Sequence, residues 1–141
     1  MIIKQLSVFL EDKIGRFTEM TKILAENNIN ISAFNIADAA DYGIVRFIVD
    51  NPELALKVLK ESRFSVNITD VVGMLVPPEP GGLCKALQIL SANNITIDYM
   101  YAFAIDTSAS VIIRSSSNED VIRVLQENKM SLLKVSDLYK I

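Results

Sequence analysis

The stretch Gly15–Ile31 reads GRFTEMTKILAENNINI, and Gly81–Ile97 repeats it as GGLCKALQILSANNITI. The same offset of 66 residues continues without insertion or deletion, since it also pairs Val58-Leu59 with Val124-Leu125. Chance similarity between two amphipathic helices would not keep one offset through two helices and the strands between them. A period of this length indicates a duplicated supersecondary unit, so the chain is expected to use one module twice.

The first copy changes its hydrophobic period along the chain. Residues alternate with period two from Ile2 to Leu10, which is typical of a strand. After the polar turn Glu11–Gly15 the period becomes helical, and Asn27-Asn28 closes this helix because Asn tolerates a left-handed backbone. Asn51 and Pro52 form a helix start signal. The predicted order is strand Ile2–Leu10, a helix from Arg16, strands Ile29–Ile36 and Ile44–Val49, helix Pro52–Ser62, and strand Phe64–Ile68.

The second copy repeats this order after a linker of only two or three residues, so the halves are expected to be closely tethered. We divide the chain into domain 1–70 and domain 71–141. Each βαββαβ unit should build a four-stranded antiparallel sheet with both helices on one face. The predicted fold class is therefore α+β, with two ferredoxin-like units. The predicted elements of the second copy are Val71–Val76, Gly82–Ala92, Ile95–Ile105, Ser110–Arg114, a helix capped near Ser117, and a strand from about Ser131 to Leu138.

Composition narrows the function classes. The 141 residues carry a net charge of −3 and their basic residues are scattered, which argues against nucleic-acid binding. The single cysteine, Cys84, excludes a disulfide within the chain and indicates a reducing compartment. The sequence shows neither signal-peptide regions nor an apolar run of bilayer length, so we expect a cytoplasmic protein without membrane contact. Hydrophobic residues make up 50% of the chain, which indicates surface buried between domains or between chains.

The sequence contains no histidine, which removes the commonest general base and the usual transition-metal ligand. Carboxylates are present, but their spacing assigns no pair to a shared pocket. Neither a P-loop nor a dinucleotide-binding glycine motif occurs. We therefore expect a protein that is not an enzyme and that needs no metal and no cofactor.

Each copy has a glycine where its first strand meets its first helix, Gly15 and Gly81. Glycine permits close backbone approach and unusual dihedral angles, and the first N–H groups of the helix can then meet a carboxylate. A tight turn before a packed helix would require the same residue. From the residues alone, both interpretations stay open.

The segment Asp12–Phe17, followed by Asn28–Ile31, resembles the signature of ACT domains. In that family a polar residue lies three positions before the glycine, and an x-N-I segment begins the second strand. The second copy resembles the signature at Pro80–Leu83 and Asn94–Ile97. The resemblance covers essentially the whole chain and agrees with the order of elements read independently.

Three positions depart from the family pattern. Ile14 lies where a proline is often found, and Pro78 lies where a polar residue is expected. Thr96 lies where the first copy has Asn30. The two potential sites are therefore unequal.

The resemblance implies a small-molecule sensor, in which an ACT pair binds an amino acid between domains and passes the signal to an enzyme or regulator. Such domains are usually fused to the enzyme that they control, so we expect output to a metabolic enzyme in trans. The alternative is a non-catalytic subunit that works mainly by protein contact, like the small regulatory subunit of acetolactate synthase. An RNA-binding plait shares the fold, but the basic surface and aromatic motif of such proteins are missing.

The resemblance also implies a place for the ligand. In ACT pairs that join side by side, the loop Asp12–Phe17 would face Thr96, and the loop Pro78–Leu83 would face Asn30. The carboxylate of an amino acid would accept hydrogen bonds at a helix start, and its ammonium would bind Asp12 or Asn30. The implied ligand-binding residues are Asp12, Ile14, Gly15, Arg16, Asn30, Gly81, Gly82 and Thr96.

The predicted strand Ile97–Ile105 is largely apolar on both faces, since Tyr and Phe residues alternate with Met and Ala residues. This pattern suits a strand that is buried on both sides. Together with the hydrophobic composition, it predicts a homodimer or a larger homo-oligomer built on sheet edges or faces.

Overall fold

The structure is a computed structural model that describes residues 2–11, 13–39, 41–105 and 108–138. These residues divide into two compact units. The first unit is Lys4–Thr69, and the second comprises residues 2–3 together with residues 70–138.

The first unit is an antiparallel sheet with two helices. Its strands lie in the order β2-β3-β1-β4. In the antiparallel register of β1 with β3, Val8 lies opposite Val45 and Leu6 opposite Phe47. The elements are β1 (Ile2–Leu10), α1 (Lys13–Glu26), β2 (Ile31–Ala39), β3 (Tyr42–Val49), α2 (Pro52–Glu61) and β4 (Ser65–Val76).

One face of this sheet forms a core with both helices. Every second residue of β1 and β3 contributes to it, and the apolar stripes of α1 and α2 close it from the other side. Full burial of each large side chain stabilises the unit by roughly 1.5–3 kcal/mol. The principal core residues are Leu6, Val8, Leu10, Met20, Leu24, Val45, Phe47, Val49, Ala55 and Leu59.

The second unit repeats this arrangement with strands in the order β4-β6-β5. Its elements are α3 (Gly82–Ala92), β5 (Ile97–Ile105), β6 (Ser108–Ser115), α4 (Asn118–Glu127) and the short α5 (Val135–Leu138). Alternate residues of β4 and β6 again meet the helices, so the predicted α+β, ferredoxin-like class is confirmed. Among the described residues, no helix combines the length and apolarity needed to cross a membrane.

The backbone repeats the duplication in detail. All four non-glycine residues with positive φ among the described residues form pairs at the offset of 66: Asn28 (57°) with Asn94 (57°), and Arg63 (66°) with Lys129 (58°). Each pair follows the same helix of its copy. Because both members share the conformation, these left-handed residues end helices and do not mark a site of special strain.

Two predicted boundaries were wrong. β4 is one 12-residue strand, where the sequence analysis placed two strands and a linker. The reason is that the apolar positions Val66, Ile68, Val72 and Met74 keep the same period-two series on both sides of the exposed Asp70, with no Gly or Pro before Gly73. In addition, α1 begins at Lys13, so Gly15 lies inside the first turn of the helix and not at a turn before it.

The helix start at Asn51 is confirmed. Its side-chain oxygen accepts a hydrogen bond from the backbone N–H of Leu54, with Pro52 at the first helical position. Ser117 precedes α4 as predicted, but its hydroxyl donates to Asp120 Oδ2 at 2.6 Å and makes no cap bond. This bond, together with Arg123, holds the pKa of Asp120 below its ordinary value.

The predicted final strand, Ser131–Leu138, was largely wrong. Only a single bridge joins Leu132 to Met74, flanked by a hydrogen bond from Leu133 N to Gly73 O at 2.8 Å. The chain then forms α5. Asp137 explains the change, because its Oδ2 accepts from the backbone N–H of Lys134 at 3.0 Å. Such a local side-chain bond competes with strand pairing.

We predict that Gly73→Ala lowers the free energy of unfolding by about 1–3 kcal/mol, as overpacked sites do. A Cβ at this position would lie 2.8 Å from Leu133 Cβ and 3.0 Å from Ile3 Cδ1. Urea unfolding measures the loss. Ser7→Ala, at the corresponding position of the first copy, is the control and should stay within about 1 kcal/mol of wild type. A Gly73→Ala variant as stable as wild type would mean that Leu133 does not pack on β4.

Candidate ligand-binding site

The first turn of α1 brings three of the sequence-predicted residues together. Ile14 is 84% exposed, Gly15 is exposed, and Arg16 is half-buried. Asp12, the residue assigned to an ammonium group, lies outside the described residues. The start of this helix therefore presents the apolar side chain of Ile14, the exposed Gly15 without a side chain, and the guanidinium of Arg16. The positive end of the helix dipole favours anions there.

Arg16 is held in place by three contacts. Its guanidinium forms an ion pair with Glu19 at 2.7 Å and donates to the carbonyl oxygen of Arg63 at 3.4 Å. Its Cζ atom also lies 3.8 Å from the centroid of the Phe64 ring, a cation–π contact. These contacts link the start of α1 to the segment between α2 and β4.

A cavity of about 330 Å³ opens beside this arginine. It lies among the end of β1, the first turn of α1 and the start of β4. The sequence analysis identified only Arg16 among its lining residues. The others come from positions far apart in the chain, so no spacing could have grouped them. The lining residues are Phe9, Glu11, Arg16, Arg63 and Ser65.

Asn30 lies at the opposite end of α1 from Gly15. The helix has 14 residues, which corresponds to about 21 Å at about 1.5 Å per residue. The backbone of Asn30 is bound to Asp50 in both directions: its N–H donates to Asp50 Oδ1 at 3.1 Å, and its carbonyl accepts from Asp50 N at 3.2 Å. Asn30 lines a second cavity, of about 290 Å³, with Ala25, Asn28, Ile29 and Asp50. Within one unit, Asn30 and Gly15 therefore belong to different places.

The glycines of the second copy have structural causes. Gly81 precedes α3 with a φ of 88°, a left-handed conformation that L side chains rarely adopt. Gly82 is buried, and a Cβ there would lie 2.5 Å from the carbonyl oxygen of Pro77. Gly82 N donates to Glu79 O at 3.1 Å, and Glu79 N to Pro77 O at 2.8 Å. The turn interpretation therefore accounts for this glycine pair.

Thr96 directly precedes the strand β5 and is exposed. Its carbonyl oxygen accepts a hydrogen bond from Ser115 Oγ at 2.8 Å. In the first copy, the residue before the corresponding strand is Asn30, and its backbone is bound by the side chain of Asp50. The two strand starts are therefore anchored by different side chains.

A third cavity, of about 390 Å³, lies at the start of α4 and was not predicted. Asn118 Nδ2 donates to the carbonyl oxygen of Asp70 at 2.9 Å, while Asn118 Oδ1 is buried without a hydrogen-bond partner among the described residues. Its lining residues are Ile2, Asp70, Ser116, Ser117, Asn118, Glu119 and Ile122.

In the part of the chain that the structure describes, no three Cys, Asp or Glu side chains come together in a way that could hold a metal ion. The described residues that line the three cavities have charged, hydroxyl, amide, aromatic and aliphatic side chains.

Comparison with known proteins adds a family and a set of similar structures. A family profile described as an ACT domain pair matches residues 1–141. The crystal structure of protein BT0572 from Bacteroides thetaiotaomicron is similar, with 54% sequence identity and a TM-score of 0.94 over 100% of this chain and 98% of that one. No match was found among proteins with curated descriptions.

Two similar structures are described by their function. The ligand-free regulatory subunit of aspartate kinase from Thermus thermophilus has 18% identity and a TM-score of 0.65, covering 88% of this chain and 91% of that chain. The corresponding subunit from Thermus flavus has 16% identity and a TM-score of 0.62, covering 90% and 94%. At these identities the likeness is one of fold.

We predict that Gly82→Ala lowers the free energy of unfolding by about 1–3 kcal/mol, because the added methyl group meets the rigid backbone oxygen of Pro77. Gly81→Asn is the neighbouring control. Nothing lies within 4 Å of a Cβ at position 81, and Asn accepts positive φ, so the loss there should stay below about 1 kcal/mol. Thermal and urea unfolding compare the two. Equal losses would contradict the close approach at Gly82.

Proposed function

The chain belongs to the family of ACT domain pairs, and we propose that it binds a free amino acid and passes this signal to a partner enzyme in trans. ACT domains are regulatory domains that bind small molecules, and catalysis is not their role. We accordingly propose that the protein is a non-enzymatic, cytoplasmic regulator that needs no cofactor. Its two domains are proposed as 1–70 and 71–141.

The observation that carries the proposal is the exposed first turn of α1 beside a cavity with both signs of charge. Arg16 and Arg63 supply cations there, and Glu11 supplies an anion. The positive end of the α1 dipole favours a carboxylate by about 0.3–1 kcal/mol. An amino acid has a carboxylate and an ammonium one carbon apart, which matches a surface of this kind.

We propose the same ligand-binding residues that the family resemblance implies. In the family arrangement, Asp12, Ile14, Gly15 and Arg16 would act together with Thr96 at one place. Gly81 and Gly82 would act together with Asn30 at a second place. The structural causes found for Gly81 and Gly82 favour the first of these two places. Exposed Ile14 is the group that would cover the ligand or meet a partner.

The similarity to regulatory subunits of aspartate kinase supports the proposed action on a separate partner enzyme. This chain covers 91% of the Thermus thermophilus subunit, so a chain of similar extent and fold is a regulatory subunit there. A metabolic enzyme is the partner that we propose. The alternative is a non-catalytic subunit that works mainly by protein contact, without a ligand. Exposed apolar residues on the sheet edge favour a contact surface of some kind.

We predict that Gly15→Ala separates binding from stability. Gly15 lies in α1, where Ala is more stable than Gly by about 0.5–1 kcal/mol, so the variant should unfold at a higher temperature. If the ligand approaches this backbone closely, the methyl group should weaken amino-acid binding by about tenfold. A thermal-shift panel of the twenty amino acids finds the ligand, and calorimetry compares the two proteins.

Lys22→Gly, on the exposed face of the same helix, is the matched control. It should lower stability by a similar amount and leave binding unchanged. Binding that is unaffected in Gly15→Ala would remove Gly15 from the site. A wild-type protein that binds no amino acid would favour the alternative, a subunit that acts by protein contact.

We further propose a homo-oligomer formed through the sheet edges. β2 is an edge strand of the first unit and exposes Phe34 at 59% and Ile36 at 43%. β5 is the corresponding edge strand of the second unit, and its residues Met100, Ala102 and Ala104 are exposed. One face of β5 is therefore exposed in the single chain, whereas the sequence pattern predicted a strand that is buried on both faces. Edge strands with exposed apolar residues favour pairing with another chain.

Light scattering of the purified protein should give a multiple of the single-chain mass of 15.7 kDa. Phe34→Lys places a charge on the β2 edge and should shift the mass towards that of one chain, because like charges on paired strands repel. Lys22→Glu, on the exposed face of α1, is the control and should leave the mass unchanged. A wild-type protein with the mass of one chain at micromolar concentration contradicts the proposal.

A further inference from the structure

The two copies differ in chemistry at the cavity beside α1. Its lining positions among the described residues of the first unit can be compared with the positions 66 residues later. Of the three charged groups among these described residues, only Arg63 has a charged counterpart, Lys129. The lining residues Phe9, Glu11, Arg16, Arg63 and Ser65 correspond to Leu75, Pro77, Gly82, Lys129 and Ser131.

The backbone of the second copy enforces this difference. The position that corresponds to Arg16 is Gly82, where even a Cβ would lie 2.5 Å from Pro77 O and 3.1 Å from Val76 Cγ1. Real Cβ atoms do not come this close to a backbone oxygen, so no guanidinium can stand there without moving the turn. The carboxylate position is taken by Pro77 itself. The second copy therefore lacks the means to hold a zwitterion at this place.

The charges of the first cavity are only partly paired. Arg16 is already bound to Glu19 at 2.7 Å and lies over Phe64. Among the residues that the structure describes, neither the carboxylate of Glu11 nor the guanidinium of Arg63 has an ion-pair partner, and the two do not pair with each other. One anion and one cation thus line the same cavity without neutralising each other.

Phe9 supplies the apolar part of the cavity. It is 44% exposed, and its ring lies 5.3 Å from the ring of Tyr42. The volume of about 330 Å³ lies near the lower end of the range of about 300–1,000 Å³ that is typical of small-molecule sites. A small ligand with an apolar group and two opposite charges fits these features.

We propose that this cavity binds one free amino acid per chain, with its carboxylate on Arg63, its ammonium on Glu11 and an apolar side chain against Phe9. Arg16, which contacts Glu19 and Phe64, is a further lining residue of the cavity. This inference rests on the proposed function, that the pair binds an amino acid. It assigns the two charged groups of the ligand to named residues of this cavity, and it adds a stoichiometry of one.

The experiment begins with calorimetric titration of the wild-type protein by each of the twenty L-amino acids. The amino acid that binds is then titrated into Glu11→Gln and Arg63→Met. Each variant removes one charge at an exposed position and is expected to fold. Lys129→Met removes the corresponding cation of the second copy and is the matched control. Circular dichroism and thermal unfolding verify the fold of each variant.

Binding to the wild type should show one site per chain. Glu11→Gln and Arg63→Met should each weaken it by about tenfold, the loss expected for a charge-assisted bond, while Lys129→Met should bind as the wild type does. The primary amide of the same amino acid lacks the carboxylate charge. The wild type should prefer the acid to the amide, and Arg63→Met should bind both equally.

The outcomes separate this inference from the proposed function. If no amino acid binds the wild type, the proposed function fails. If an amino acid binds with two sites per chain, or with unchanged affinity in both Glu11→Gln and Arg63→Met, the function stands and this site is wrong. A preference for the acid that survives in Arg63→Met overturns the proposed orientation.

Discussion

The burial of one sheet face beneath two helices is the constraint on which each unit depends. A unit of about 70 residues buries a comparatively small share of its surface, so nearly every inward-facing position must be apolar. Leu6, Val8 and Leu10 on β1 meet this demand, and Val72, Met74 and Val76 on β4 meet it in the second unit. The helix ends serve the same purpose. Left-handed residues such as Asn28 and Asn94 stop each helix where the chain must turn into the next strand.

The duplication keeps this constraint and leaves the exposed loops free to differ. Most core positions of the first copy recur in the second at the offset of 66, and so do the helix-ending residues. The loop between the first strand and the first helix is not under this packing constraint. In one copy it is a polar segment before a helix that begins at Lys13, and in the other it is the proline-rich turn that ends at Gly81. Divergence of function within one fold is therefore easiest at this loop.

The exposure of the charged groups sets the character of a ligand site there. Exposed ion pairs contribute little individually, because water and salt screen them. A site of this kind would bind modestly, so it would respond to comparatively high ligand concentrations. For the ligand to act as a signal, it must bind one state of the protein or its assembly better than another. The exposed apolar residues of the β2 edge, which include Phe34, lie in the same unit as the cavity, and the proposed assembly through this edge would supply such a second state.

The sequence by itself determined the class of fold, because hydrophobic period and duplication are local properties that any packing of the chain must satisfy. It also determined the start of α2, since the Asn51 cap bond spans only three residues. Only the tertiary structure decided where the charged cavity lies, because Glu11 and Arg63 are far apart in the chain and meet through the packing of β1, α1 and β4. It likewise decided the two unlike glycines: Gly15 lies inside a helix, whereas Gly82 is required by the nearby backbone oxygen of Pro77. The tertiary structure also decided that the last segment forms a helix and not the predicted strand. The hydrogen bond from Lys134 to Asp137 competes with sheet pairing, and the residue pattern does not indicate which of these two interactions is stronger.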